Sequence, residues 1–560
     1  MSRVFVSSVV IFLVMAFLAM SVSGEVLSLD PAAAVAPVGP KTIPSLWSTN
    51  FLTLVGTQTP ASYPNCRFGV TAWGSQQRDL DLIPNFGVGI YQDFAARSAT
   101  VSEMAGAEHV QMLRLSQNRP NDPSNPNAPI TTCGPDYGYT VNYPLDDGPG
   151  NLGTLVAARP GALWIVGNEP DRRIRQDDIC PQQYAEAYHD IYHFIKERDP
   201  SAQIAVAGLV QVSPGRLQYL DIVLDTYLQR YGTTMPVDVW TMHIYIIPET
   251  GAGDAHIAVG TDPALAIPQS FDCDDPDSYC YAEHDDLDIF VHQVRMMRQW
   301  MRDNGYQNTP LVLTEFGILW PYHYYGTCSD QVCPENPPVD YGCFCDENLE
   351  TFHPQRVADF AEATFDYLLS AKDQGLGYPP DAYRLVQQFV WYSVQTDGTS
   401  HASNLVEFTD TSYSLTVPGQ RWNQYVTALP EELNLFPSRV PTVVGRAPDG
   451  VSPVTVTLTV EVRNNGNAIV DQPVTVTFYR DSALEQPIGS SIITDIGGCS
   501  RGWAVAMTTW DDLPTGSHRF WVRVDSTGVV DETDETDNVA SGIVYINQPQ
   551  LYLPLVASRR

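Results

Sequence analysis

Between residues 66 and 430 the chain alternates two textures. Short apolar runs of seven to nine residues are separated by longer stretches in which apolar residues recur every three or four positions. The eight runs are RFGVTAWG (67–74), FGVGIYQDF (86–94), HVQMLRL (109–115), ALWIVGNE (162–169), QIAVAGLV (203–210), VDVWTMHIY (237–245), PLVLTEFG (310–317) and LVQQFVWYS (385–393). Continuous apolar runs of this length predict strands buried on both faces. The intervening periodicity predicts amphipathic helices. One has a stripe of Tyr184, Tyr188, Ile191 and Ile195; a second has Leu217, Leu220, Leu224 and Tyr227 and stops at Gly232; a third ends at Gly305. Strand, helix, strand at this spacing gives parallel βαβ units, and eight of them predict an α/β fold of the (β/α)8 TIM-barrel type over residues 62–430. An open doubly wound sheet is the alternative. It calls for a glycine-rich phosphate loop after the first strand, and VTAWGSQ is not one.

Past 430 the pattern changes. Residues 431–451 read as a Pro-rich linker. After it, VTVTLTVEV alternates strictly, with Val454, Val456, Leu458, Val460 and Val462 on one face, and PVTVTFY and HRFWVRV do the same. Short alternating strands between Gly, Asn and Asp turns predict an all-β, immunoglobulin-like sandwich over 452–548. The tail 549–560 reads as a last strand or a sorting signal.

Composition narrows the function classes. The chain has 560 residues, enough for a large domain and a small one, and 44% of them are hydrophobic. Its formal charge of −34 disfavours nucleic acid and anionic membranes and makes a neutral ligand the easier expectation. Residues 1–24 combine Arg3, a short apolar stretch and small residues, which predicts a secretory signal peptide; a retained membrane anchor competes with it. Residues 25–61 read as a leader. Ten cysteines, at 66, 133, 180, 273, 280, 328, 333, 343, 345 and 499, fit an oxidising compartment and disulfides. A zinc site at Cys328, Cys333, Cys343 and Cys345 is the sharper alternative, and the connectivity stays open.

In a (β/α)8 barrel the functional groups stand at the carboxyl ends of the strands. The fourth run ends in Asn168–Glu169 and the seventh in Thr314–Glu315–Phe316–Gly317. Either glutamate alone could be structural, one capping a turn and the other pairing with an arginine. Together they face one substrate across the barrel mouth, as glycoside hydrolysis requires. One carboxyl attacks the anomeric carbon; the other gives a proton to the departing oxygen, and burial with the like charge nearby raises the pKa of that donor. His243 and Tyr245 end the sixth run, and the Tyr245 hydroxyl could donate to Glu315 and hold it ionised. Trp391 could stack on a sugar ring or be an ordinary core tryptophan. Asn168 could bond the sugar hydroxyl beside the anomeric carbon. Arg114 could bond a carboxylate or close a structural ion pair.

GNEP, HIY, LTEFG and VWYS on these four strands resemble the retaining glycoside hydrolases of clan A. NEPD at 168–171 with HIY and LTEFG is similar to the fungal-type endo-β-1,3-glucanase group. The resemblance implies Glu169 as acid/base and Glu315 as nucleophile. The cysteine-bearing insertions depart from the compact fungal pattern. VEVRNNGN and DETDETDN resemble a CARDB module, an accessory sandwich of secreted proteins. Its acidic run Asp531, Glu532, Asp534, Glu535 and Asp537 could hold calcium or be a solvated turn.

The resulting expectation is a secreted retaining glycosidase, acting as a monomer on a neutral polysaccharide, β-glucan favoured, with no cofactor and no metal. Attachment to a cell surface or glycan would fall to the sandwich. Two alternatives remain: a non-catalytic glycan-binding or adhesion protein on a degenerate barrel, and a metal-dependent barrel hydrolase. The second wants paired histidines that His243 lacks.

Overall fold

The structure is a computed structural model that describes residues 63–72, 77–98, 106–117, 132–134, 137–173, 176–250, 255–270, 275, 277–280, 283–319, 352–396, 402–408 and 412–548. The expected signal peptide, leader, tail and four-cysteine loop lie outside these residues.

Each of the eight apolar runs coincides in large part with a strand: β1 (Asn65–Thr71), β2 (Val88–Gln92), β3 (Glu108–Leu113), β4 (Leu163–Val166), β5 (Gln203–Val206), β6 (Trp240–Ile244), β7 (Leu311–Phe316) and β8 (Gln388–Trp391). They form one parallel sheet in the order β5-β4-β3-β2-β1-β8-β7-β6. The two outer strands approach each other through an Ala205–Val239 bridge, with Val206 N donating to Val239 O at 3.3 Å. This near-barrel arrangement fits a TIM-like fold.

The outer helices include α1 (Leu152–Ala157), α2 (Pro181–Arg198), α3 (Pro214–Tyr231), α4 (Leu287–Asp303), α5 (Pro354–Ser370) and α6 (Val417–Ala428). The expected stripe on α2 is fully buried. Gly232 and Gly305 follow α3 and α4 with φ of 70° and 85°, conformations that favour glycine. On α3 the buried face is rotated from the expected one. Tyr219, Leu220, Val223 and Tyr227 go in, while Leu217 and Leu224 are half-buried. The cause is Arg216, fully buried in the same helix and turned inward to pair with Asp171 and Glu249.

The C-terminal region packs two sheets around Leu458, Val460, Val462, Val474, Val476, Phe478, Phe520, Val522 and Val544. A three-stranded sheet holds β9 (Leu435–Arg439), β11 (Val454–Asn464) and β14 (Ala504–Leu513). A five-stranded sheet holds β10 (Val443–Gly445), β12 (Val474–Tyr479), β13 (Pro487–Ile493), β15 (Gly516–Arg523) and β16 (Val539–Ile546). The stretch expected to be a linker therefore supplies two strands, β9 and β10, both at sheet edges, and Leu435 is fully buried in the core. Pro437 obscured this in the sequence. On an edge strand its missing N–H need not interrupt the ladder.

The two regions are tied at the amino-terminal ends of the barrel strands. Cys66 and Cys499 form a disulfide. Arg67 pairs with Asp381 and donates to Asn465 O at 2.7 Å, and Gln203 Nε2 donates to Arg501 O at 2.7 Å. The opposite, carboxyl ends of the strands carry the candidate site. Cys133 and Cys180 form a second disulfide, Cys280 is also disulfide-bonded, and no cysteine is free among the described residues.

Candidate active site

The turn after β4 aims a carboxylate into the barrel mouth. Gly167 has φ 97° and Glu169 itself has φ 43°, a left-handed conformation that costs a glutamate energy and is found most often at functional sites. The turn is pinned on both sides. Glu169 N donates to Gly208 O at 3.1 Å, and Asn168 N donates to Asp177 Oδ2 at 2.7 Å. Asp177 also receives Leu115 N at 3.0 Å and Arg114 Nε at 2.7 Å. Arg114 thus closes a structural ion pair that holds the loop, its guanidinium donating to Asp177 and Gln176. Asp171 is anchored deeper, by buried Arg216, whose Nε donates to Glu249 Oε1 at 2.6 Å.

Glu315 reaches the same space through a bulge. Against β6, Met242 pairs with Leu313 but His243 pairs with Glu315; against β8, Phe389 pairs with Leu313 but Trp391 pairs with Phe316. Relative to both neighbours, β7 carries one extra residue at this point. A bulge of this kind re-aims a side chain. Glu315 Oε2 accepts from the Tyr245 hydroxyl at 3.1 Å, as expected. Gln92 Nε2 donates to Thr314 O at 2.8 Å and lies 3.5 Å from Glu315 Oε1.

His243 stands between the two carboxylates. Its Nδ1 is 3.3 Å from Glu169 Oε1 and 3.7 Å from Glu315 Oε2, and one ligand atom from each of the three residues lies within 4.8 Å of the others. All three side chains are buried. Asn168 Oδ1 and Gln92 Oε1 are buried acceptors with no partner among the described residues, the kind of atom a sugar hydroxyl can satisfy.

The electrostatics of the site run opposite to expectation. Burial alone would raise the Glu169 pKa, but Arg172, donating to Oε2 at 2.9 Å, and His243 overcome it and hold the group down at about 2. Burial lifts Glu315 to about 7; His243 opposes the rise, while the charge on Glu169 adds to it. Burial works against a charged His243, yet Glu315 and Glu169 together raise it. One proton therefore favours the Glu315 side of the pair while Arg172 is in place.

Trp391 is corrected. It is fully buried, its Nε1 donates to Ser403 O at 2.8 Å, and it packs edge-on against Phe316 with ring centres 5.2 Å apart. It faces the α5 layer, meeting Phe365. Because alternate strand residues point to opposite sides, Tyr392 reaches the mouth instead. It meets Tyr245 and Phe94 and feels the charges of Glu315, Glu169 and Arg172.

Four contributors escaped the sequence reading: Arg172, Gln92, Tyr392 and Gly208. Arg172 lies three residues past Glu169, a spacing that could have flagged it. Gly208 could not have been found this way, since its role depends on the ring of His243 lying over it.

Among the described residues, Glu169, His243 and Glu315 form the group that could be considered for a metal ion. Arg172 and Tyr245 already donate to its carboxylates. A cation would have to displace both, so the set suits proton transfer better. In the acidic run, Glu532 accepts from Leu435 N and Asn538 Nδ2, and Asp537 accepts from Asn434 Nδ2 at 3.1 Å. These carboxylates organise a turn.

The CARDB family model matches residues 445–542. No curated protein matches the chain. Among solved structures, a variant of a GH128 subgroup I endo-β-1,3-glucanase from Amycolatopsis mediterranei, in complex with laminarihexaose, is similar at 13% identity. It covers 64% of this chain and 98% of its own, with a TM-score of 0.34. A Bacteroides uniformis β-glucuronidase is similar at 10% identity over 86% of this chain and 46% of its own, with a TM-score of 0.32. The CARDB domain of a Pyrococcus furiosus protein, solved with di-metal ions, is 21% identical over 21% of this chain and 92% of its own, with a TM-score of 0.16.

Proposed function

We propose that the chain is a secreted retaining glycoside hydrolase that cleaves β-glycosidic bonds of a neutral β-glucan by double displacement, acting within the chain of the polymer. The observation that carries this reading is the pair Glu169 and Glu315, on the tips of β4 and β7, with carboxylate oxygens within 4.8 Å. Retaining chemistry works with carboxyl groups about 5–5.5 Å apart, whereas inversion needs roughly 6.5–9.5 Å to admit a water. The spacing supports the first.

In this mechanism Glu315 attacks the anomeric carbon while Glu169 protonates the departing oxygen. A covalent glycosyl-enzyme forms. Glu169, now ionised, takes a proton from water, which releases the sugar with its original configuration. Tyr245 fixes the orientation of Glu315. The unpartnered Asn168 Oδ1 suits the hydroxyl beside the anomeric carbon. The charge of −34 agrees with a neutral substrate. The choice of β-1,3-glucan rests on the NEPD, HIY and LTEFG stretches. The CARDB-like region sits at the amino-terminal ends of the strands, away from the mouth, so a role in attachment suits it better than a role in turnover.

The test is a screen of the purified protein against soluble and insoluble polysaccharides, with chromatography of the products and NMR of the first anomer released. β-Anomeric oligosaccharides from laminarin, mixed in size, are expected. No product from any β-glucan, or an α-anomer from the first turnovers, would sink the reading.

A further inference from the structure

The loop that delivers Glu169 also delivers the cation that disarms it. Arg172 N donates to Glu169 O at 3.1 Å, closing a tight turn, and Arg172 Nη1 donates to Glu169 Oε2 at 2.9 Å. The other oxygen, Oε1, faces His243 Nδ1 at 3.3 Å. A general acid must present a protonated oxygen to the leaving group. Neither oxygen of Glu169 is placed to do so here, and one that accepts from a guanidinium is the least able to hold a proton. The Arg172 side chain is 15% exposed, whereas that of Glu169 is 2% exposed, so the guanidinium lies on the solvent side of the acid. A leaving group approaching from the mouth meets Arg172 first.

We propose that Arg172 is a positioning residue that keeps Glu169 ionised until a glucan unit entering on the leaving-group side displaces its guanidinium and so arms the acid. The inference rests on the glycosidase reading and specifies how its site is regulated. The proton balance closes within the site. With Arg172 in place, the single proton of the carboxylate pair is on Glu315. When the guanidinium withdraws, protonated His243 passes its Nδ1 proton to Glu169 Oε1, and the Glu315 proton replaces it on Nδ1. Glu315 is left ionised as the nucleophile and no proton is taken from solvent. The other groups acting on Glu169 and Glu315 are Asp171 on the same loop, Tyr245 on β6, Tyr392 after β8, and Arg114 after β3. Among these groups and Arg172, Arg172 is the cation within hydrogen-bonding distance of Glu169.

The experiment is a pH titration of the full-length protein by carboxyl infrared difference spectroscopy, with the Glu169 band assigned by its loss in Glu169→Gln. It is run on wild type, Arg172→Met and Arg172→Lys, each with and without a thio-linked β-1,3-gluco-hexasaccharide that cannot be cleaved. Without the oligosaccharide, Arg172→Met is expected to raise the Glu169 midpoint by about two pH units, and Arg172→Lys to keep it low. Saturating oligosaccharide is expected to raise the wild-type midpoint by a similar amount and to add little in Arg172→Met. An unchanged midpoint in Arg172→Met would overturn the proposal. So would an oligosaccharide that binds wild type and leaves Glu169 low. Failure of the oligosaccharide to bind at all would instead overturn the β-1,3-glucan reading, and the Arg172→Met arm would still decide whether Arg172 keeps the proton off Glu169.

Discussion

Gly208 lies directly under the ring of His243: a Cβ at position 208 would come within 2.4 Å of His243 Cδ2 and 2.6 Å of Nε2. No side chain tolerates that approach without displacing the ring, and the ring is what stands between Glu169 and Glu315. Gly208→Ala is therefore expected to act on the reaction more than on the fold. Overpacking of this kind costs about 1–3 kcal/mol. Turnover should fall about tenfold or more as His243 leaves both carboxylates. Thermal unfolding and steady-state kinetics on the same preparation check this. Wild-type turnover would refute the role given to the histidine.

Tyr245→Phe removes the hydroxyl that donates to Glu315 Oε2 at 3.1 Å. That bond favours the ionised carboxylate, so its loss raises the Glu315 pKa further. The acid limb of kcat/KM, which in the proposed mechanism reports ionisation of Glu315, should move to higher pH, and turnover at acid pH should fall about tenfold. A pH–rate profile from 4 to 9 reads this directly.

The pH dependence of stability has a definite sign. Burial, with the charge on Glu169 adding to it, lifts Glu315 from its ordinary value of 4.5 to about 7 in the fold. A group held above its unfolded pKa contributes stability that is complete below 4.5 and is lost as pH rises through 7. Glu169, held down at about 2, gains its contribution as pH rises from about 2 to 4.5, below this window. Glu315→Gln has no charge to bury. Relative to wild type it should gain about 3 kcal/mol between pH 4.5 and pH 8. Chemical denaturation at both pH values tests this, and a difference that does not change with pH would refute it.

The Cys66–Cys499 bridge joins positions 433 residues apart and fastens the C-terminal sheets to the start of β1. Its removal in the Cys66→Ser, Cys499→Ser double variant should lower stability by about 2–4 kcal/mol. Because the bridge lies at the opposite ends of the strands from Glu169 and Glu315, the proposed turnover by the folded protein should be unchanged. Deletion of everything after Leu429 also removes the Asn465 carbonyl that Arg67 donates to. It should destabilise the barrel more than the double variant does.

The strands were legible because each is a continuous apolar run whose length matches a strand buried on both faces. The two glutamates were legible because they end such runs. What the sequence hid depends on contacts between distant residues. The direction of Trp391 follows from the register of β8 beside a bulged β7, which no local pattern encodes. The rotated face of α3 follows from Arg216 seeking Asp171 and Glu249. The pKa inversion follows from Arg172 folding back over the turn it belongs to. Edge strands β9 and β10 were hidden by Pro437 and by their short length.

Separate substitutions of the two carboxylates distinguish their roles. In the proposed mechanism Glu315→Ala removes the group that bonds to the anomeric carbon, so turnover of every substrate should fall by several orders of magnitude. Glu169→Ala leaves that nucleophile in place and removes the proton. The loss should be largest for oligosaccharides, whose leaving alcohols need protonation. It should be smallest for dinitrophenyl β-glycosides, whose leaving group departs as an anion. With the activated substrate the glycosyl-enzyme forms but breaks down slowly, because no base activates water. Azide needs no base. Added azide should therefore accelerate turnover of Glu169→Ala, and the product should be a β-glycosyl azide, since two inversions restore the configuration. In Glu315→Ala, azide would have to attack the substrate itself, and the product would be an α-glycosyl azide. NMR of the two azide products distinguishes the residues: an α-product from Glu169→Ala, or a β-product from Glu315→Ala, would mean that the two roles had been assigned the wrong way round.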